Sequence, residues 1–178
     1  MSATVLPRPR GDEYGTYYHR YVALVPDGPV LTTLEEQFEA TEALLGGLST
    51  EQEVHRYAPD KWSVREVVGH MIDTERLFAY RALSMARGDA TPLPGMDQEV
   101  WAAHSGAHGR TMADLLEEWR AVRRSTLRSF AALDEEAASR TGTASGNPFT
   151  VRSFAWIIAG HERWHGGLLR RDYGLGEA

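Results

Sequence analysis

From Leu31 the apolar positions Leu31, Leu34, Phe38, Thr41, Leu45 and Leu48 recur at alternating steps of three and four, which lays one buried stripe along a helix. Gly46 and Gly47 end this first predicted helix. Ser63 followed by Glu66 reads as a capping box, and the stripe Val64, Val67, Met71, Phe78, Met85 carries a second helix to about Arg87, where Gly88, Pro92 and Pro94 stop it. Residues 88–110 are rich in Gly, Pro and His, with one short helix expected near Asp97 to Ala103. A third helix starts at the cap Thr111 and buries Met112, Leu115, Trp119, Val122, Thr126, Phe130 and Leu133. After a Gly- and Ser-containing loop, Thr150 opens a fourth that runs to about Tyr173. No segment alternates as a strand would. The expectation is an all-α fold, a four-helix bundle, over residues 31–178. Residues 1–30 carry Pro7, Pro9, Gly11, Gly15, Pro26, Gly28 and Pro29, so they form an irregular arm, which Tyr14, Tyr17, Tyr18 and Tyr21 pack onto the body.

Composition narrows the chemistry. The 178 residues contain no cysteine, which excludes a disulfide scaffold, a protein thiolate nucleophile and sulfur-ligated metal. A net charge of -6 argues against nucleic acid as a partner. No apolar run is long enough for a membrane span and the N-terminus lacks a signal pattern, so a cytoplasmic protein is expected.

The fourth stripe reads Val151, Phe154, Ile158, His161, His165, Leu168 and keeps its spacing straight through two histidines, which therefore face the interior. An unsatisfied buried polar group costs about 1 to 3 kcal/mol. A metal ion resolves that cost, because residues at i and i+4 reach one ion from one helical face. His70 shares a face with Val67, Thr74 and Leu77 and is the third expected ligand. His104 and His108 have the same spacing, but Gly106 and Gly109 deny them a rigid helix, while His19 and His55 lie in the arm and the first loop. At about 1.5 Å per residue, His70 lies about 10 Å from the start of its helix and the pair about 12 to 18 Å from the end of theirs. Helices two and four are therefore expected to run antiparallel, which requires a long crossover between helices two and three.

His161-Glu162-Arg163-Trp164-His165 fits the HExxH pattern of zinc proteases, yet only thirteen residues follow it, too few for their downstream ligand. A second resemblance spans nearly the whole chain. Tyr17-Tyr18-His19-Arg20-Tyr21, Lys61-Trp62-Ser63, the run Asp73 to Ala82, and Ala159-Gly160-His161 through His165 resemble the DinB/YfiT family. That resemblance implies a four-helix bundle with a long connection between helices two and three and a divalent metal on three histidines, here His70, His161 and His165. It also implies thiol S-transferases using a low-molecular-weight thiol, or metal-dependent hydrolases, and a homodimer.

Three neutral histidines leave a coordination position open, as catalytic sites do. The leading expectation is an enzyme that transfers a low-molecular-weight thiol to a small electrophile; a metal hydrolase is the alternative, and a non-catalytic metal-binding module the reading of another class. Zinc is the first expectation, with nickel, iron or manganese as alternatives. Glu162, Asp73 and Arg81 are the expected catalytic and supporting residues: Glu162 flanks the pair, Asp73 follows His70 by three residues, and Arg81 could meet an anionic substrate. Trp62 and Trp164 are expected in core or interface rather than as substrate platforms.

Overall fold

The computed structural model describes residues 6–176; residues 1–5 of the arm and 177–178 of the bundle range lie outside the described residues. In chain order the helices are α1 (His19–Val22), α2 (Val30–Gly46), α3 (Thr50–Val54), α4 (Val64–Ala86), α5 (Gln98–His104), α6 (Met112–Ala131), α7 (Glu135–Ser139) and α8 (Val151–Tyr173), with strands β1 (Thr141–Ala144) and β2 (Asn147–Thr150) before α8. Helices α2, α4, α6 and α8 form the bundle. The expected caps work at two of them: Ser63 and Glu66 close a reciprocal box at α4, and Thr111 accepts from the Asp114 amide at α6. Thr150 does not cap α8, because its hydroxyl donates instead to Glu13 at 3.0 Å.

Helices α4 and α8 run antiparallel, since His70 meets His161 and His165 while Phe78 meets Phe154. Helix α6 runs parallel to α4, with Arg65 bonded to the His108 carbonyl at one end and Glu75 to Arg123 further along. Parallel neighbours need a connection that travels the bundle's length. Residues 87–111 supply it, carrying the short α5 that the sequence placed one residue earlier. The crossover lies directly on α4 at Gly69, where an added Cβ would stand 2.6 Å from the Cβ of Ala107.

The expectation of no strand is corrected. Thr141 pairs with Thr150 and Ala144 with Asn147 in an antiparallel hairpin, turned at Ser145 and Gly146, both with positive φ (51° and 72°). The strands have four residues each, and Gly142 and Pro148 interrupt any alternation, so the period-two signal is too short to read. Tertiary contact makes the hairpin: Gly142 packs against Met85, and the Leu93 amide donates to the Thr143 carbonyl.

The described part of the arm wraps α8. The Trp156 indole donates to the Leu6 carbonyl at 3.1 Å, Arg8 stacks on the same indole, and buried Glu13 accepts from Arg152 and Thr150. Helix α1 lies on α8 at Gly160, where a Cβ would fall 2.0 Å from the Tyr21 carbonyl oxygen. Only glycine permits that approach. The apolar core has two parts, one around Phe78, Phe130 and Phe154 and one around Met71, Leu115, Trp119 and Leu169. On α8 His161 and His165 fall between them, and on α4 His70 lies within the second, among Val67, Val68, Met71 and Ile72.

Candidate metal centre

His70, in the second turn of α4, and His161 and His165, one turn apart in the middle of α8, project to one point. The Nε2 atoms of His70 and His165 each lie 3.2 Å from Nε2 of His161, and the three potential ligand atoms fall within 4.8 Å of one another. Trp62 covers the His70 ring at 4.9 Å between centroids, while Tyr21 meets His161 edge-on at 5.2 Å. All three rings are buried. Burial lowers the pKa of His70 to about 4 and, with His70 adding repulsion, that of His165 to about 3. Burial, then the two neighbouring rings, push His161 down as well. The site is therefore a cluster of three neutral imidazoles at neutral pH.

Such a cluster fits a divalent cation better than it fits itself. A neutral ring offers one donor and one acceptor, so His161 Nε2 cannot bond well to two facing nitrogens. His70 Nδ1 lies 3.4 Å from the Thr74 hydroxyl and His165 Nδ1 is buried without a hydrogen-bond partner, so Nε2 is where these rings can act. No ion pair joins any of the three to a carboxylate among the described residues.

Two clefts reach the rings from outside. One of about 460 Å³ is lined by His165, Trp62, Trp164, Tyr57, Lys61 and Arg20. The other, about 380 Å³, exposes His70 and His161 beside Thr74, Phe78, Met96 and Ser145. Tyr17, Tyr21 and Gln98 line both, so the arm and the crossover together wall the approach to the histidines.

The profile of the DinB superfamily matches residues 33–169. The chain belongs to the DinB superfamily. Among curated proteins nothing matches. Among solved structures, YfiT from Bacillus subtilis, described as a probable metal-dependent hydrolase with an unusual four-helix bundle topology, superposes with a TM-score of 0.70 at 15% identity over 94% of each chain. At that identity the likeness speaks for the fold. The DinB match begins after α1, so the wall formed by Tyr17 and Tyr21 lies outside the matched region.

In this DinB chain the other expected site residues do not touch the histidines. Glu162 points away from them into the bundle, where it accepts from Thr41 Oγ1 at 2.8 Å, from Gln37 Nε2 and from Arg123 Nη2 at 2.9 Å. Arg123 also grips Glu75 through two bonds of 2.9 and 2.8 Å, and the Trp119 indole donates to Glu75 at 2.8 Å. Burial alone would lower the Arg123 pKa, but Glu162 and Glu75 together raise it. Asp73 sits half-buried on the outer side of α4, 3.8 Å from Arg76, with burial raising its pKa and Arg76 opposing. Arg81 is buried near the hairpin; its Nη2 donates to the Pro94 carbonyl at 2.6 Å and to Ser145 Oγ at 3.1 Å, which fixes the crossover wall of the second cleft.

Of the two tryptophans, Trp62 packs on the core as expected, and Trp164 does not. Trp164 is 41% exposed and lines the first cleft, and Trp62 packs on the core yet faces the same cleft. The α8 stripe already marked position 164 as off the buried face. His104 bonds its own helix at the Val100 carbonyl and His108 bonds Ser63, so that pair forms no cluster. Glu75 and Arg123 escaped the sequence because a charged residue at a helical position ordinarily reads as solvated.

Proposed function

We propose that the chain is a metal-dependent enzyme holding a divalent ion on His70, His161 and His165, and that it transfers a low-molecular-weight thiol to a small electrophile. The convergence of three neutral Nε2 atoms at the floor of two open clefts carries this reading. A bound divalent ion supplies Lewis acidity, which lowers the pKa of a thiol or a water molecule.

The remaining work falls to the chain. Arg20, stacked on Tyr17 at 4.1 Å, offers a cation at the mouth of the first cleft to the anionic part of a thiol cosubstrate, whereas Lys61 there is paired with Asp60 at 2.9 Å. Burial raises the Tyr21 pKa, so its hydroxyl remains a neutral donor, 3.4 Å from that of Tyr17. Trp62 and the arm wall the approach to the rings. Arg81 acts as a positioning residue that holds Ser145 in the cleft wall and anchors the crossover at Pro94, next to the wall residues Gly95 and Met96. Thiol transfer is favoured over hydrolysis by the setting of Glu162: three donors hold it in the bundle, so among the described residues no carboxylate contacts the rings to serve as a base, and a thiol acidified by metal needs none. A hydrolase of a small substrate is the second reading, supported by the description of YfiT.

Cobalt-substituted protein tests the choice. Titration with 2-mercaptoethanol and with cysteine is expected to add a sulfur-to-cobalt charge-transfer band that the His161→Ala protein lacks. A spectrum indifferent to both thiols would overturn the transferase reading and leave the hydrolase.

A further inference from the structure

We infer that the buried cluster Glu75–Arg123–Glu162 is the counter-charge of the metal centre, acting through the protein interior rather than by touching a ligand ring. This rests on the metal-centre reading above.

Two carboxylates around one guanidinium leave one negative charge in excess, and all three side chains are buried, at 2 to 3% exposure. A buried carboxylate without a cation of its own is costly, and one arginine shared between two acids is an expensive way to hold helices together. The hydrogen bonding of the cluster is otherwise complete: Arg123 Nη1 donates to the Leu34 carbonyl at 2.6 Å, Trp119 serves Glu75, and Thr41 and Gln37 serve Glu162. What it lacks is a second positive charge.

The histidine site has the opposite imbalance. Three neutral rings do nothing to offset a dipositive ion, and among the described residues no carboxylate bonds their outer nitrogens, since His70 Nδ1 faces Thr74 and His165 Nδ1 meets no partner there. The two imbalances are adjacent. Glu162 follows His161 in the chain, and a single gap of about 10 Å³ is lined by His161 together with Glu75, Arg123 and Glu162. Charges held in a buried protein environment interact more strongly than they would in water. The excess charge of the cluster and the excess charge of a bound cation therefore offset one another.

Zinc alone serves as the probe, with affinity measured by competition against a chromophoric chelator and thermal unfolding recorded on the chelator-treated protein. Glu162→Gln removes the excess charge and is expected to weaken zinc binding about tenfold or more. Gln37→Lys, at a half-buried position on α2, neutralises the cluster from outside without removing any of its three members, and is expected to weaken binding in the same direction. Thr41→Val deletes a hydrogen bond to Glu162 without changing charge, so it should lower stability and leave zinc affinity within about twofold. Equal affinity in wild type, Glu162→Gln and Gln37→Lys would overturn the inference, as would a loss in Thr41→Val as large as theirs, which would mark the cluster as structural only. If Glu162→Gln does not fold, Gln37→Lys decides. Failure of wild type to retain zinc at all would instead overturn the metal centre.

Discussion

His70 and His165 carry a pH signature of their own. In the unfolded chain each takes up a proton near pH 6.5, roughly the value of a free imidazole. In the folded, metal-free chain burial delays this to about pH 4 at His70 and about pH 3 at His165. Between those values the unfolded state binds more protons, so stability falls as the pH falls and this contribution is fully present only above about 6.5. Urea unfolding of chelator-treated protein is expected to show a loss of a few kcal/mol between pH 6.5 and 4. His70→Gln, which does not titrate, should give a shallower slope by about one proton. Equal slopes would mean that the folded site protonates as readily as the unfolded chain.

At the scale of elements, glycine positions on α8 separate packing from propensity. An added Cβ at Gly160 meets the Tyr21 backbone at 2.0 Å, and backbone cannot swing aside as a side chain does. Gly160→Ala should therefore detach α1 from α8 and cost more than about 2 kcal/mol, in the range of overpacked cores. Trypsin should then cut the arm at Arg20 faster than in wild type. Gly167 lies on the exposed side of the same helix with nothing within 4 Å, so Gly167→Ala should stabilise by about 0.5 to 1 kcal/mol. Comparable denaturation midpoints for the two variants would show that the arm does not need that contact. The arm carries Tyr17 and Tyr21 into both clefts, so its detachment is a change at the site as well.

For the whole molecule, metal and fold are linked. Preorganised rings that bind an ion in the folded state and scatter in the unfolded one raise stability by about 2.7 kcal/mol at a free ion concentration a hundred times Kd. In a protein of this size that amounts to about 5 to 10 °C in Tm. Zinc should raise the Tm of wild type by such an amount and leave His70→Ala, His161→Ala and His165→Ala nearly unmoved. A similar rise in all four would locate the zinc elsewhere. No helix among the described residues is long and apolar enough to cross a membrane.

The sequence by itself determined the four long helices, because burial of one face repeats every three or four residues and the caps at Ser63 and Thr111 are local chemistry. It determined the inward direction of His161 and His165 for the same reason. The level of His70 against that pair followed from the rise of a helix and indicated the crossover, which the antiparallel α4 and α8 display. Only the tertiary structure decided the rest. The hairpin at 141–150 exists because Met85 and Leu93 meet it, and no four-residue strand announces such partners. Arg123 and Glu75 became one buried cluster with Glu162 because three helices bring them together across 39 to 48 residues of chain. The cleft walls likewise join Tyr21, Trp62 and Gln98 from separate segments. Periodicity records which side of a helix is buried; it holds no information on which charged neighbour from another helix will be waiting there.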